Sequence, residues 1–151
     1  MPMDRIVGAL DDLLERGELA EDVIIQAAAF RQRPQHARAV DIVAYDVLEA
    51  WIRQARHVVT HGGPGAIMQA LAAGKRPIVV PRDPRLGEHV DDHQIRFVQW
   101  LAARRPVTPV WEIGNLGPLL RQEPQTADPP EASVRAVVAR RLIDIVECDR
   151  L

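Results

Sequence analysis

The chain has 151 residues, of which 47% are hydrophobic, so it is long enough for one domain with a single core. The formal net charge of -2, from 19 basic and 21 acidic residues, argues against nucleic acid or an anionic membrane as a partner. The sequence contains no secretory leader pattern, no run of about 18 apolar residues and only one cysteine, Cys148, so we expect a cytoplasmic protein.

Segments with apolar residues at helical spacing alternate with short apolar, β-branched runs along the chain. Such alternation is typical of a parallel sheet covered by helices on both faces, because the crossover connections lie there. The predicted fold class is therefore α/β with a Rossmann-like sheet. In chain order the prediction is a helix over 4–16, strands over 23–27 and 40–44, a helix over 46–55, a strand over 57–60, a helix over 66–73, a strand over 77–81, a helix over 91–103 and a strand over 107–110.

The C-terminal part of the chain has a different composition. After a predicted helical turn over 114–120, the segment 122–130 is polar and contains three prolines, which is typical of a linker. Residues 131–151 then carry an amphipathic stripe that predicts a final helix. We therefore expect a domain over 1–121, and the final helix docks either on its sheet or on a partner subunit.

The loop after the third predicted strand is rich in glycine and runs directly into a helix. It reads HGGPGA from His61 to Ala66. Glycines let backbone amides approach a ligand closely, and the helix directs its positive end to the same place, as a diphosphate requires. The glycine spacing fits neither the dinucleotide fingerprint nor the P-loop. A tight turn that merely needs glycine explains the pattern about equally well.

The loop after the fourth predicted strand, residues 81–94, is dense in side chains that hydrogen-bond hydroxyl groups, so a sugar is its natural ligand. The alternative is a solvated loop in which Asp91 and Asp92 serve the first turn of the next helix. A metal site is a weaker alternative, because only part of the stretch is helical and no second ligand cluster occurs. The metal ligands in that case would be His89 and His93, with Glu88, Asp91 and Asp92 nearby. We predict no metal.

Three motifs in order resemble the donor-site signature of the C-terminal domain of glycosyltransferase family 28. They are HGGPGA followed by Gln69, then AAGKRPIVVP over 72–81, and then DDHQ over 91–94. The resemblance covers about residues 2–112. It is closest to small, separate subunits of two-component transferases, namely bacterial exopolysaccharide glycosyltransferase or glucuronosyltransferase subunits and the catalytic subunit of the dolichol-pathway GlcNAc transferase.

The resemblance implies a role for each matching position. Gln69 stands where the family usually has a glutamate for the ribose hydroxyls, and glutamine is a neutral and weaker acceptor. Tyr45 lies in the segment that would face the uracil. Residues implied to hold the UDP phosphates are His61 and the amides of Gly62, Gly63, Gly65 and Ala66, and those implied to contact the donor sugar are His93 and Gln94. Independently of the family, Arg82 and Arg85 suit the carboxylate of a glucuronate donor, although for each arginine taken alone a solvated surface role is favoured about two to one.

The activity implied is inverting transfer of a hexose or hexuronic acid from a UDP-sugar to a polyprenyl-linked acceptor in polysaccharide synthesis. The chain would be the donor half of a GT-B transferase, without cofactor or obligatory metal. The general base would belong to a membrane-attached, acceptor-binding partner subunit, which would bring the chain to the inner face of the membrane. A non-catalytic module that binds the UDP-sugar or stabilises a partner is the alternative. A UDP-sugar epimerase is less favoured, since such enzymes carry both domains in one chain.

The resemblance also has a gap at the N-terminus. Relatives usually begin with an apolar strand and a Gly-Thr turn before the first helix, whereas here the helical pattern starts near residue 2. We expect the sheet to lack its first, central strand, and we expect the true start of the chain upstream. A fully paired sheet formed by this chain alone would refute that hypothesis.

Overall fold

The computed structural model describes residues 3–27 and 31–128, which form a parallel α/β fold. Within these residues no helix is long and apolar enough to cross a bilayer. The strands are β1 (Ile24–Gln26), β2 (Arg38–Val40), β3 (Val59–His61), β4 (Ile78–Val80) and β5 (Thr108–Pro109). The helices are α1 (Asp4–Glu15), α2 (Tyr45–Gln54), α3 (Pro64–Ala72), α4 (His93–Ala102) and α5 (Leu116–Leu120), with short 3₁₀ turns at Pro84–Leu86 and Ile113–Asn115.

Strand β4 divides the core between the two faces of the sheet. Its residues Ile78 and Val80 pack with α1 and α5, whereas Val79 packs with α3 and α4. Successive side chains of a strand point to opposite faces, so a fully apolar strand is what a sheet with helices on both faces requires. The predicted α/β class, with helices on both faces, is confirmed.

The parallel strands form two separate groups. One group has the order β1-β2 and the other β3-β4-β5, and no ladder joins β1 to β3 in the described part of the chain. Strand β3 is only half-buried although its neighbour β4 is fully buried, and Ile24 of β1 is 40% exposed. The sheet is therefore not continuous, and the hypothesis that a strand precedes α1 stays a prediction.

The predicted position of the second strand is wrong. We expected it over 40–44, but β2 ends at Val40 and Ile42 is exposed. The carboxylate of Asp11 on α1 accepts hydrogen bonds from the backbone N–H groups of residues 35–37, at 2.7 to 3.0 Å. This contact fixes the chain just before β2, so the strand begins earlier than its apolar residues suggest.

Part of the predicted linker is packed against the domain. Thr126 forms an antiparallel bridge with Lys75, and Ala127 is buried beside α3 and α4. The Ala127 N–H also donates to the carbonyl of Gly74, whose positive φ ends α3. These two residues thus pack on the domain, whereas the helix predicted over 131–151 lies outside the described residues.

Candidate functional site

Both predicted loops lie at the same edge of the sheet. Strands β3 and β4 are parallel neighbours, and their last residues, His61 and Val80, are direct partners in the ladder. The glycine loop 61–66 and the loop 81–94 therefore leave the sheet side by side. Ligands of open α/β sheets bind at this carboxyl edge, where loops meet helix N-termini.

The glycines of the first loop are required mainly for space. None of Gly62, Gly63 and Gly65 has a positive φ, so backbone conformation does not demand glycine at these positions. A β-carbon at Gly62 would lie 3.0 Å from Cβ of Gln94, and one at Gly63 would overlap the His61 ring. Gly65 is exposed and has open space around it. Two of the glycines thus make room for neighbouring side chains, and the third leaves the start of α3 accessible.

His61 is held in one orientation by the loop that it begins. Its Nδ1 accepts a hydrogen bond of 2.8 Å from the Gly63 N–H, so the proton of the neutral ring is on Nε2. Burial lowers the pKa of His61 and the nearby positive charge of Arg82 lowers it further, and together they outweigh a side-chain hydrogen bond with Gln94 that acts in the opposite direction. At neutral pH, His61 is therefore an uncharged hydrogen-bond donor.

This environment predicts a pH effect on stability. Because the folded-state pKa of His61 lies below the unfolded value of about 6.5, the unfolded state binds more protons in acid. The contribution of His61 to the free energy of unfolding is therefore fully present above about pH 6.5. At lower pH this contribution decreases by at most about 1.4 kcal/mol per pH unit. Urea denaturation of wild type and His61→Gln from pH 7.5 to 5 measures the difference. A difference that stays constant over this range contradicts the prediction.

Gln94 connects the two loops from the first turn of α4. It is buried, with 5% of its surface exposed, and its Oε1 accepts a hydrogen bond of 3.2 Å from the Arg82 N–H. Its Cβ and Oε1 also lie against Gly62. The residue predicted to touch the donor sugar therefore also positions Arg82 and the glycine loop.

A buried ion pair that sequence reasoning missed fixes the second loop. Glu88 is 5% exposed and accepts from Arg5 of α1, at 2.8 Å from Nε and 3.0 Å from Nη2. Glu88 also accepts from the Asp83 N–H, and Arg5 donates to the Pro81 carbonyl at 2.6 Å. These bonds tie both ends of the segment 81–88 to α1. An acidic residue buried so deeply needs a cation, and only the fold identifies which one.

His89, Asp91 and His93 are brought together, with possible ligand atoms within 4.8 Å of one another. Asp91 Oδ1 accepts from the His93 N–H at 3.1 Å and from the His93 imidazole, and His89 Nδ1 accepts from the Asp91 N–H at 3.5 Å. Burial alone would raise the pKa of Asp91, but the hydrogen bonds from His93 outweigh it and leave the pKa below its usual value. These hydrogen bonds account for the cluster as an anchor at the start of α4.

The other acidic groups considered as metal ligands have partners of their own. Glu88 is paired with Arg5, and Asp92 forms an exposed ion pair with Arg96 at 2.9 Å. Of the five residues, the structure thus assembles only the set of two histidines and one aspartate. The absence of a metal requirement remains a prediction.

The two arginines of the second loop differ in their surroundings. Arg85 is 84% exposed and forms a fork with the carboxylate of Asp83, at 2.7 to 3.1 Å. This fork raises the pKa of Arg85 and lowers that of Asp83. Arg82 is half-buried, and its Nε is shielded from solvent without a hydrogen-bond partner in the described part of the chain. Arg82 is therefore the better placed of the two to bind an anion.

The remaining predicted residues are spread over α2 and α3. Tyr45 begins α2, just beyond the end of β2, and is 68% exposed. Ala66 lies in the first turn of α3 and is partly buried. Gln69, one turn further on, has a buried Nε2 without a hydrogen-bond partner among the described residues. An unsatisfied buried amide is unfavourable in isolation and suits a ligand that brings an acceptor.

Together these groups suit a ligand that is both anionic and rich in hydroxyls. The start of α3 offers backbone amides, His61 offers a neutral N–H, and Arg82 offers a positive charge. Comparison of the sequence with known proteins identifies a family. The model of the glycosyltransferase family 28 C-terminal domain matches residues 15–107. No match is found among the curated proteins or the solved structures.

Proposed function

Since this chain belongs to the glycosyltransferase family 28 C-terminal domain family, we propose that it is the donor-binding subunit of an inverting UDP-sugar glycosyltransferase. The observation that carries the proposal is the glycine loop, in which His61 and the start of α3 face the same edge as Arg82. Hydrogen-bond donors fixed in advance at the place where negative charge develops are the main source of catalysis in such reactions.

In the proposed reaction the leaving group is UDP. The amides of Gly62, Gly65 and Ala66 bind the diphosphate together with His61, which the Gly63 amide holds in place. His93 and Gln94 lie beside the sugar, Gln69 bonds a ribose hydroxyl, and Tyr45 lies near the uracil. With donors of this kind at the phosphates, no metal ion is required. The general base, which takes the proton of the acceptor hydroxyl, belongs to a membrane-attached partner that also binds the polyprenyl-linked acceptor. The chain therefore transfers sugar only in complex with that partner.

A non-catalytic module that binds a UDP-sugar or stabilises a partner is the second candidate. One observation favours it, namely glutamine at position 69, where the family usually has glutamate. A neutral amide makes weaker hydrogen bonds to hydroxyls than a carboxylate does. Co-expression with the membrane partner, followed by a transfer assay with labelled UDP-sugars, separates the two candidates. UDP binding without transfer by the assembled complex supports the non-catalytic module.

Binding of the nucleotide without metal is the first test of the proposal. Calorimetric titration of the full chain with UDP in EDTA should show saturable binding, because protein donors neutralise the diphosphate. Addition of Mg²⁺ should change the dissociation constant by less than about threefold from its value in EDTA, which corresponds to less than 1 kcal/mol. Absence of UDP binding with and without Mg²⁺ contradicts the proposed function, and binding only with Mg²⁺ contradicts the metal-free mechanism.

A further inference from the structure

Arg82, at the carboxyl edge of the sheet, is a cation without a counter-ion in the described part of the chain. Its guanidinium makes no hydrogen bond or ion pair with any residue that the structure describes, and its Nε is buried. Its backbone is nevertheless fixed, since the Arg82 N–H donates to Gln94 Oε1. The backbone of Arg82 is thus held in place, while the donors of its guanidinium have no acceptor among the described residues.

The neighbouring arginines each form an ion pair with a carboxylate. Arg5 is paired with Glu88, Arg85 with Asp83, and Arg96 with Asp92. A half-buried guanidinium without an acceptor is unfavourable, because it loses water and gains no partner. Among the described arginines at this edge of the sheet, Arg82 is therefore the one that lacks a carboxylate partner. An anion from outside the chain would supply the missing acceptor.

The position of Arg82 decides which anion it meets. Strand β4 ends two residues before Arg82, and its last residue pairs with His61 of β3. Arg82 is also close enough to His61 to lower the pKa of that imidazole. A group bound at the start of α3 would therefore meet the helix N-terminus, the neutral N–H of His61 and the full charge of Arg82 together.

We propose that Arg82 binds the diphosphate of the nucleotide-sugar and stabilises it as the leaving group. This inference rests on the proposed function. In the transfer step the bond between the anomeric carbon and the diphosphate oxygen breaks, and its electron pair stays on that oxygen. The acceptor hydroxyl forms the new bond to the anomeric carbon and gives its proton to the base of the partner subunit. Arg82 balances the negative charge that appears on the diphosphate, which His61, being neutral, does not.

This assignment differs from a role for Arg82 at a sugar carboxylate. The carboxylate of a hexuronic acid is remote from the diphosphate, and Arg85 lies further along the loop than Arg82. Arg85, however, is exposed and already forked to Asp83. The two roles predict different effects of Arg82 on ligand affinity. A role at the diphosphate affects the binding of UDP and of every UDP-sugar, whereas a role at the carboxylate affects only the binding of a UDP-hexuronic acid.

The test compares ligands that differ in their phosphates. Calorimetry with the full chain measures affinity for UDP and for uridine in wild type, Arg82→Gln and Arg82→Lys. Arg82→Gln should weaken UDP binding about tenfold, as expected for one lost charge-assisted hydrogen bond, and should leave uridine binding unchanged. Arg82→Lys should recover part of the loss. Arg85→Gln is the matched control and should bind UDP like wild type, since its exposed guanidinium serves Asp83.

The outcomes separate this inference from the proposed function. Failure of the wild-type chain to bind UDP overturns both. Binding of UDP by wild type and by Arg82→Gln with equal affinity overturns the inference alone, and so does an equal loss for UDP and uridine. The carboxylate role is tested with UDP-glucuronate and UDP-glucose. If Arg82→Gln weakens only UDP-glucuronate, the cation serves the sugar and the diphosphate assignment is wrong.

Discussion

Replacement of Gly63 by alanine should weaken UDP binding roughly 100-fold. The new β-carbon would overlap Cε1 of His61 and lie 2.6 Å from Nδ1, so the imidazole has to move. The hydrogen bond from the Gly63 N–H to Nδ1 is then lost, and the donor on Nε2 turns away from the ligand. Loss of one hydrogen bond to a charged ligand and of the fixed orientation of the ring, at about 1.5 kcal/mol each, corresponds to this factor. Calorimetric titration with UDP measures it.

Gly65→Ala is the matched control for an added methyl group in the same loop. Its β-carbon meets no atom within 4 Å, and its φ is not positive. We expect the free energy of unfolding of this variant to stay within about 0.5 kcal/mol of wild type. A folded Gly63→Ala protein that binds UDP with native affinity would show that the orientation of His61 does not matter for binding.

Replacement of Glu88 by alanine should lower the free energy of unfolding by roughly 3 kcal/mol. The change leaves Arg5, whose side chain is 18% exposed, without its counter-ion, and it removes the acceptor of the Asp83 N–H. Breaking a buried ion pair from one side is costly because the remaining charge stays partly desolvated. Urea denaturation at pH 7 measures the loss. UDP affinity should also fall, since the segment 81–88 carries Arg82.

Glu49→Ala is the matched control for this ion pair. Glu49 accepts from Arg53 at 2.8 Å, the same distance as in the Arg5–Glu88 pair, but the two side chains are 36% and 59% exposed. Solvent screens such a pair, so its loss should cost about 0.5 kcal/mol or less. The double variant Arg5→Met, Glu88→Leu should be more stable than Glu88→Ala alone. Equal effects of the two single changes would mean that burial of the Arg5–Glu88 pair has no energetic consequence.

The sequence predicted the elements that depend on local pattern. The periodicity of α1 and the short apolar run of β4 placed both elements within about two residues of their observed bounds. Strand β2 was misplaced, because its start depends on hydrogen bonds from residues 35–37 to Asp11, which is more than 20 residues away in the chain. No local pattern contains such a contact.

The candidate site shows the same division. The order of strand, glycine loop and helix around His61 was readable, and so was the density of polar groups over 81–94. The reason for two of the glycines could not be predicted from the sequence, since they make room for atoms of His61 and Gln94 in the folded protein. The counter-ion of Glu88 could not be predicted from the sequence either, because Arg5 lies 83 residues away in the chain.

The sequence by itself thus determined the α/β class, the family and the two loops that form the candidate site, since spacing and glycine content are properties of neighbouring residues. Only the tertiary structure decided which arginines of the candidate site are paired with a carboxylate among the described residues. Ion pairing and burial depend on distances between segments remote in the chain, and packing alone sets those distances. Arg82 and Arg85 are three residues apart, yet within residues 3–27 and 31–128 the fold pairs Arg85 with a carboxylate and leaves Arg82 without one.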